Sequence, residues 1–309
     1  MLLSVIVPVY NAERTLQRCL ASLLKQGIAE DDLEIVCVDD GSSDGSLSIL
    51  HREAASHPCI RVFSQKNQGA GAARNVGLDH ASGDVITFCD ADDYLIPNGL
   101  GYVLDTFWNE KIDVLCHAST TLSTAKLKTW QEENDVRGEV IYEGSGREVY
   151  ERDTKYFVWN TLISRSFLER IRLRFLPMTM SEDSVFMLEL MMQAQHAVDV
   201  SSNIYRYTVS GQQVTSRRDS ELMRKCLADY LVFMERLQHY QQNQVLGALK
   251  QPFYSRALSA DLTQAEYVSM RQSVARFGIK ACPYWIYQPM SWLYRTIFVP
   301  YVLPHISRG

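Results

Sequence analysis

Three carboxylates follow an apolar run within four positions of the sequence. The stretch TFCDADDYLIP, residues 87–97, places Asp90, Asp92 and Asp93 at the end of a segment with strand character. Charged residues rarely lie against a buried strand without a partner. The alternating acids Asp90 and Asp92 can both turn toward a divalent cation, and carboxylate oxygens suit Mg²⁺ or Mn²⁺. A solvated turn is the alternative that this motif alone leaves open.

Two further segments could complete a site with these acids. DDGSSD, residues 39–44, ends another apolar run, and NQGAGAARNVG, residues 67–77, contains Gly69, Gly71 and Arg74. The glycine spacing departs from the dinucleotide-binding fingerprint, because Arg74 occupies its last position and the segment follows the third predicted strand. We interpret the segment as a backbone turn that approaches a ligand closely, with Arg74 available to a phosphate or an acid. A simple loop is the alternative.

A third candidate is Asp183, at the start of the predicted helix SEDSVFMLELMMQAQ, residues 181–195. A carboxylate there can act as a general base if the fold brings it over the site. The alternative is that Glu182 and Asp183 only stabilise the N-terminus of the helix, where negative charge is favourable.

The elements that must position these residues alternate along the first part of the chain. Apolar runs rich in Val and Ile predict strands at residues 2–10, 33–39, 60–65, 84–90 and 112–117. Helical segments separate several of them, the first with Asn11 as N-cap and another over 72–81. Residues 118–150 are expected to be a loop, and 155–171 a helix. This pattern predicts an α/β fold with a mostly parallel sheet, helices on both faces, and ligands at the carboxyl ends of the strands.

Composition narrows the class of protein and its compartment. The 309 residues carry a formal net charge of -5, which disfavours general nucleic-acid binding. Seven dispersed cysteines without a CxxC pair indicate a reducing compartment, and we expect a cytoplasmic protein. The apolar N-terminal stretch lacks a basic region and is predicted to be a strand and not a signal peptide.

Six segments in order resemble the inverting glycosyltransferases of family 2, which have the GT-A fold, over residues 1–215. They are SVIVPVYNAERTLQRCLASLLKQ, LEIVCVDDGSSDGS, NQGAGAARNVGL, GDVITFCDADDYLIP, VWNTLISRSFLERIRLRF and SEDSVFMLEL. The resemblance implies a Rossmann-like GT-A catalytic domain with a nucleotide-sugar half near 1–117 and an acceptor half near 118–215. A helical C-terminal region, 216–309, would follow.

The resemblance also implies roles for individual residues. The nucleotide sugar would be bound by Pro8, Tyr10, Asn11, Asp39, Asp40, Arg74, Asp90 and Ala91. A Mn²⁺ or Mg²⁺ ion would be held by Asp92 together with Asp90. Asp183 would be the catalytic base, and supporting roles would fall to Glu182, Gly69 and Trp159.

The expected activity is transfer of a single sugar from a UDP-linked or related donor to a glycan or lipid-linked acceptor in cell-envelope polysaccharide synthesis. The chain has no QxxRW motif, which disfavours a processive synthase. A nucleotidyltransferase and a non-catalytic nucleotide-sugar-binding protein are the alternatives. The aromatic segment 281–309 either packs on the catalytic domain or contacts the cytoplasmic face of a membrane as an interfacial helix.

Overall fold

The apolar runs of the sequence form strands of one sheet in the computed structural model, which describes residues 2–109, 111–123, 136–152, 157–209, 220–242, 257, 260, 262–275 and 277. The strands are β1 (Leu3–Val9), β2 (Leu33–Asp39), β3 (Ile60–Ser64), β4 (Val85–Phe88), β5 (Tyr94–Leu95), β6 (Val114–Ser123), β7 (Val140–Gly144), β8 (Thr161–Ser164) and β9 (Ala197–Val209). The helices are α1 (Leu16–Leu23), α2 (Ser46–Ser56), α3 (Ala70–His80), α4 (Gly99–Asn109), α5 (Gly146–Arg152), α6 (Arg165–Ile171), α7 (Glu182–Gln193), α8 (Ser220–His239) and α9 (Gln264–Ala275). Short 3₁₀ turns lie at Glu30–Asp32 and Val158–Asn160.

The sheet has the order β3-β2-β1-β4-β8-β6-β9-β5, with β7 paired to β9. The first four strands are parallel, and the long β6–β9 pair is parallel as well, so most paired positions lie in parallel ladders. Strands β1 and β2 are buried along almost their whole length, as expected for strands covered on both faces. Their carboxyl ends therefore meet at one edge of the sheet, next to the carboxyl end of β4.

Pro8 is tolerated in the central strand β1 because of where the neighbouring ladder ends. Strand β4 pairs with β1 only as far as Ile6 and Phe88, so Pro8 lies beyond that ladder. A proline lacks the N–H that a continuing ladder would need. The end of β1 is thus open on the β4 side, where the acidic turn begins.

Three local predictions were wrong. The expected loop at 118–150 contains the end of β6, the edge strand β7 and helix α5. The expected helix at 155–171 is, from its third residue on, a 3₁₀ turn, strand β8 and helix α6, because β8 is drawn into the sheet between β4 and β6. Helix α1 begins at Leu16 with Thr15 at its N-cap position, and Asn11 instead has a left-handed backbone with φ of 49°.

The chain divides into two compact units, Met1–Met178 with Glu182–Ser210, and Thr179–Ser181 with Gly211–Gly309. Every candidate site residue lies in the first unit. In the second unit, Asp229 of α8 accepts hydrogen bonds from the backbone N–H groups of Thr179 and Met180 at 2.7 and 2.9 Å. Within its described part, the buried apolar side chains of α8 and α9 include Met223, Cys226, Tyr267 and Val274.

None of the helices that the structure describes is both long and apolar enough to cross a membrane. The aromatic segment 281–309 lies outside the described residues. All six cysteines within the described ranges are free thiols and are buried.

Candidate active site

The acidic turn, residues 89–93, joins β4 to β5 at the carboxyl edge of the sheet. Its third acid is turned inward: Asp93 is fully buried and accepts hydrogen bonds from the Thr208 N–H at 2.6 Å and the Tyr205 hydroxyl at 2.7 Å. Burial raises the pKa of Asp93 to about 8, and repulsion from Asp90 and Asp92 adds to the rise that these hydrogen bonds oppose. Asp90 and Asp92 are only half-buried. Two of the three carboxylates therefore remain at the edge where a ligand can bind.

Arg74 of helix α3 joins two acids that are far apart in the sequence. Its guanidinium donates to Asp90 Oδ1 at 2.8 Å and to Glu182 Oε1 at 2.9 Å, and the side chain is almost completely buried. Burial lowers the pKa of Arg74, but attraction by Asp90, Glu182 and Asp183 outweighs it and raises the pKa above its usual value. The guanidinium is thus permanently charged and fixes the Asp90 carboxylate against the start of helix α7.

Asp183 lies in the first turn of α7, directly after Glu182. Burial raises the pKa of Asp183 to about 6, repulsion by Glu182 adds to the rise, and attraction by Arg74 opposes it. The Ser184 N–H donates to Asp183 Oδ1 at 2.7 Å. A carboxylate with a pKa near 6 is ionised at neutral pH yet basic enough to accept a proton in a reaction.

An aromatic cluster holds α7 against the sheet. Phe186 of α7 stacks on Phe175 with ring centroids 4.0 Å apart, and Phe88 at the end of β4 meets Phe175 edge-on at 5.5 Å. The Arg74 guanidinium lies 5.5 Å from the Phe175 ring centroid. Aromatic pairs in these geometries stabilise the core beyond their buried area. The start of α7 is therefore fixed relative to the acidic turn by packing as well as by ion pairs.

A second group of predicted residues lies at the ends of β1 and β2. Tyr10 follows β1 and is one of the most exposed large side chains, at 54%. Asn11 accepts a hydrogen bond from the Ser43 N–H at 2.8 Å, which ties the two loops together. Asp39 is buried at the end of β2, and from the described part of the chain its carboxylate accepts only long bonds, both from the Ser42 N–H, at 3.3 and 3.4 Å. An exposed ring beside a buried carboxylate with spare acceptor capacity suits a planar base with N–H donors.

Asp40 is engaged differently from Asp39. Its carboxylate accepts from the Gln65 side chain at 2.7 Å and from the backbone N–H groups of Gln68 and Gly69, both at 2.8 Å. Three of its acceptor positions are thereby used to hold the glycine-rich turn that begins α3. Because Arg74 lies on the same helix, Asp40 links the β1–β2 loops to the acidic turn.

The remaining predicted residues support these groups. Gly69 has a φ of 92° and a ψ of 164°, a conformation that is essentially restricted to glycine. A Cβ on Gly71 would lie 3.1 Å from Glu182 Cγ, so the glycine allows α7 to approach α3. Ala91 is buried in the acidic turn, and Trp159 stacks on Tyr205 with ring centroids 4.4 Å apart.

The residues present fit a divalent cation that shares its coordination shell with a ligand. No group of three or more His, Cys, Asp or Glu side chains converges as a metal site within the described ranges. Asp90 and Asp92 offer two carboxylates, and Mg²⁺ is commonly held by one or two carboxylates together with water and phosphate oxygens. With Asp93 turned inward, the donor set matches a cation that arrives with a diphosphate and not a closed protein site.

A model of glycosyl transferase family 2 matches residues 4–172, more than half of the chain. The chain belongs to glycosyl transferase family 2. A relative, the putative glycosyltransferase EpsH of Bacillus subtilis (strain 168), is 31% identical over 238 residues, which cover 74% of this chain and 66% of that protein. The chain thus spans just under two thirds of that relative's length.

Solved structures confirm the predicted GT-A α/β fold of this chain. S. aureus TarS 1–349 in complex with UDP-GlcNAc superposes with a TM-score of 0.61 at 21% identity, over 96% of this chain and 92% of that chain. The mannosyltransferase PcManGT from Pyrobaculum calidifontis, in complex with GDP-Man and Mn²⁺, gives 0.57 at 18% identity, over 94% and 84%.

Three residues at the glycosyltransferase site gave no signal in the sequence. Arg18 of α1 donates to the Asp92 carbonyl at 2.6 Å, and β9 contributes Tyr205 and Thr208 to the acidic turn. Strand β9 lies in a stretch without readable periodicity, and an arginine on a helix is usually solvated.

Proposed function

We propose that this glycosyltransferase transfers a single sugar from a nucleoside-diphosphate donor, with UDP as the expected nucleotide, to a hydroxyl of a glycan or lipid-linked acceptor with inversion. The observation that carries the proposal is the Arg74 bridge, which places the donor-side acid Asp90 and the helix bearing Asp183 on two sides of one buried guanidinium. The complexes of TarS with UDP-GlcNAc and of PcManGT with GDP-Man support this donor class.

The donor is expected to lie along the carboxyl edge of the sheet. Tyr10 would stack on the base, and Asp39 would accept from a base N–H, while Asp40 keeps the glycine-rich turn in place. Asp90 and Asp92 would hold a divalent cation, Mn²⁺ or Mg²⁺, which supplies Lewis-acid neutralisation of the departing diphosphate. Arg74 orients Asp90 and adds a fixed positive charge beside it.

Asp183 acts on the acceptor. Its carboxylate takes the proton from the acceptor hydroxyl as that oxygen forms a bond to the anomeric carbon and the bond from this carbon to the diphosphate oxygen breaks. Attack and departure on opposite faces invert the configuration in one step, so no covalent enzyme intermediate is needed. The pKa of about 6 leaves Asp183 ionised before the reaction at neutral pH.

The test is the variant Asp183→Asn. UDP release from UDP-linked sugars, with methyl glycosides as acceptor probes, should fall by about 10²-fold or more, because a positioned general base contributes that much to such reactions. Affinity for UDP should stay close to that of the wild-type protein. Asp79→Asn is the matched control, since Asp79 is an exposed acid paired only at the surface with Arg174 at 3.2 Å.

Full transfer by Asp183→Asn protein would contradict the base assignment. Loss of both transfer and UDP binding would mean that Asp183 builds the donor site instead of acting on the acceptor.

A further inference from the structure

The acidic turn has little backbone pairing of its own. Strand β4 ends at Phe88 and β5 begins at Tyr94. Between them, the Cys89 N–H donates to the Ile6 carbonyl at 3.0 Å and the Asp93 N–H to the Asp90 carbonyl at 3.0 Å. Two half-buried carboxylates that must meet a cation within a few tenths of an ångström therefore need support from outside the turn.

Strand β9 and helix α1 supply that support. The Tyr205 hydroxyl accepts from the Asp90 N–H at 3.1 Å and donates to Asp93 Oδ2 at 2.7 Å. The other Asp93 oxygen accepts from the Thr208 N–H at 2.6 Å, and Arg18 holds the Asp92 carbonyl at 2.6 Å. Each of the three acids is thus fixed, at its backbone or at its side chain, by a residue outside the turn.

The Tyr205 ring is itself immobilised. Tyr205 is fully buried and stacks on Trp159 with an interplanar angle of 20°, and Trp159 in turn stacks on Phe157 with ring centroids 4.8 Å apart. The hydroxyl therefore has one position, set by packing. Trp159 would then influence the acidic turn through Tyr205 and not by contact with the donor.

We propose that Tyr205 and Asp93 are positioning residues of the donor site, which orient Asp90 and Asp92 for a cation carrying a nucleoside diphosphate. This inference rests on the proposed function. Asp93 is not a ligand: its two oxygens are used by β9, and its buried carboxyl fixes the turn from behind. Within the part of the chain that the structure describes, the Tyr205 hydroxyl is the only group hydrogen-bonded to both Asp90 and Asp93.

The test is Tyr205→Phe, which removes one oxygen and keeps the ring in its stack. Binding of UDP in the presence of Mn²⁺, measured by titration calorimetry, should weaken about tenfold or more, while UDP binding in EDTA should change little. The matched control is Tyr102→Phe. The Tyr102 hydroxyl also joins two groups, donating to the Gly138 carbonyl at 3.0 Å and accepting from the Gly138 N–H at 3.4 Å, away from the turn.

The Tyr102→Phe control distinguishes a positioning role of the Tyr205 hydroxyl from a contribution to the stability of the fold. Both variants lose a hydroxyl that donates one hydrogen bond and accepts another, but Tyr102 is half-buried whereas Tyr205 is fully buried. A purely structural role predicts a loss of melting temperature in both variants and no selective loss of Mn²⁺-dependent affinity in Tyr205→Phe. Asp93→Asn is the second variant, because the amide keeps the size of the carboxyl and an acceptor for the Thr208 N–H. It should show the same selective loss, to a smaller extent.

Three outcomes are distinguishable. Selective loss of Mn²⁺-dependent UDP affinity in Tyr205→Phe and Asp93→Asn, but not in Tyr102→Phe, supports the positioning role. Wild-type affinity in both of the first two variants overturns it and leaves the donor class intact. Absence of nucleotide binding by the wild-type protein overturns the proposed function, and the positioning role with it.

Discussion

Arg74 forms ion pairs with two acids of the candidate site through one side chain. It is buried between Asp90 and Glu182, and a buried ion triad is stabilising only while every charge is matched. Asp183 directly follows a member of this triad. Burial raises the pKa of Asp183, repulsion by Glu182 adds to the rise, and attraction by Arg74 opposes it. In the proposed mechanism the pKa of the base Asp183 is therefore tuned, in addition to the effect of burial, by two residues that need not touch the acceptor.

That tuning predicts how activity depends on pH. Asp183 must be ionised to accept a proton, and its pKa is raised to about 6, so kcat should fall as pH drops through about 6. Asp90 also raises the pKa of Asp183 and faces it from the acidic turn. Glu182→Gln removes the like charge that raises the pKa of Asp183 most, so the acid limb of the kcat profile should move to lower pH.

The measurement is UDP release between about pH 5 and about pH 8 at saturating donor, for both proteins. The basic side of the profile serves as the internal control, because Asp183 is ionised there in both. An acid limb that stays at the same pH in Glu182→Gln would show that another group limits the rate.

At the scale of elements, the N-terminus of α3 is where the site is assembled. Asp40 holds its first turn through Gly69, and Arg74 extends from its second turn to the acidic turn and α7. The two glycines at this end of α3 are required for different physical reasons. Gly69 is needed for its backbone conformation and has nothing within 4 Å of a Cβ position, whereas Gly71 is helical and faces Glu182.

Alanine substitutions should separate the two reasons. Gly69→Ala should lower the free energy of unfolding by about 1–3 kcal/mol, because its φ of 92° is strained for any residue with a Cβ. Gly71→Ala gains up to about 1 kcal/mol of helix propensity, which opposes the cost of its contacts with Glu182 Cγ at 3.1 Å and Phe175 Cβ at 3.3 Å, so we expect a smaller loss than in Gly69→Ala. Urea denaturation of both variants measures this difference. Equal losses would contradict the conformational explanation for Gly69.

The elements that could be predicted from sequence are those formed by local signals. Strands β1, β2 and β4 were predicted near their observed positions because continuous Val- and Ile-rich runs mark strands buried on both faces. Strand β3 and helix α3 were also predicted near their observed positions. The four-residue strand β8 was missed because its state is set by pairing with β4 and β6, which no local window contains. Long-range pairing of β9 with β5 and β6 likewise brings in Tyr205, a residue without a motif.

The same division applies to the site. Asp90, Arg74, Glu182 and Asp183 could be named from motifs in order, and the structure brings these four together. That Asp93 turns inward could not be named, because its partners lie more than a hundred residues away on β9. The sequence motifs contain the side chains that we propose contact the ligand. The residues that hold these side chains in place are brought to the site by long-range packing and lie outside the motifs.

For the molecule as a whole, ligand binding should raise the free energy of unfolding and with it the melting temperature. A ligand that binds only the folded state raises the free energy of unfolding by about 2.7 kcal/mol at 100 times its Kd. We expect UDP with Mn²⁺ to raise the melting temperature more than UDP in EDTA, because Asp90 and Asp92 present carboxylates to the cation at one edge of the site. In Asp92→Asn the Mn²⁺-dependent increment should disappear while the increment from UDP in EDTA remains. Equal increments in Mn²⁺ and EDTA for the wild-type protein would refute the cation site, since the acidic turn would then bind the nucleotide without a metal.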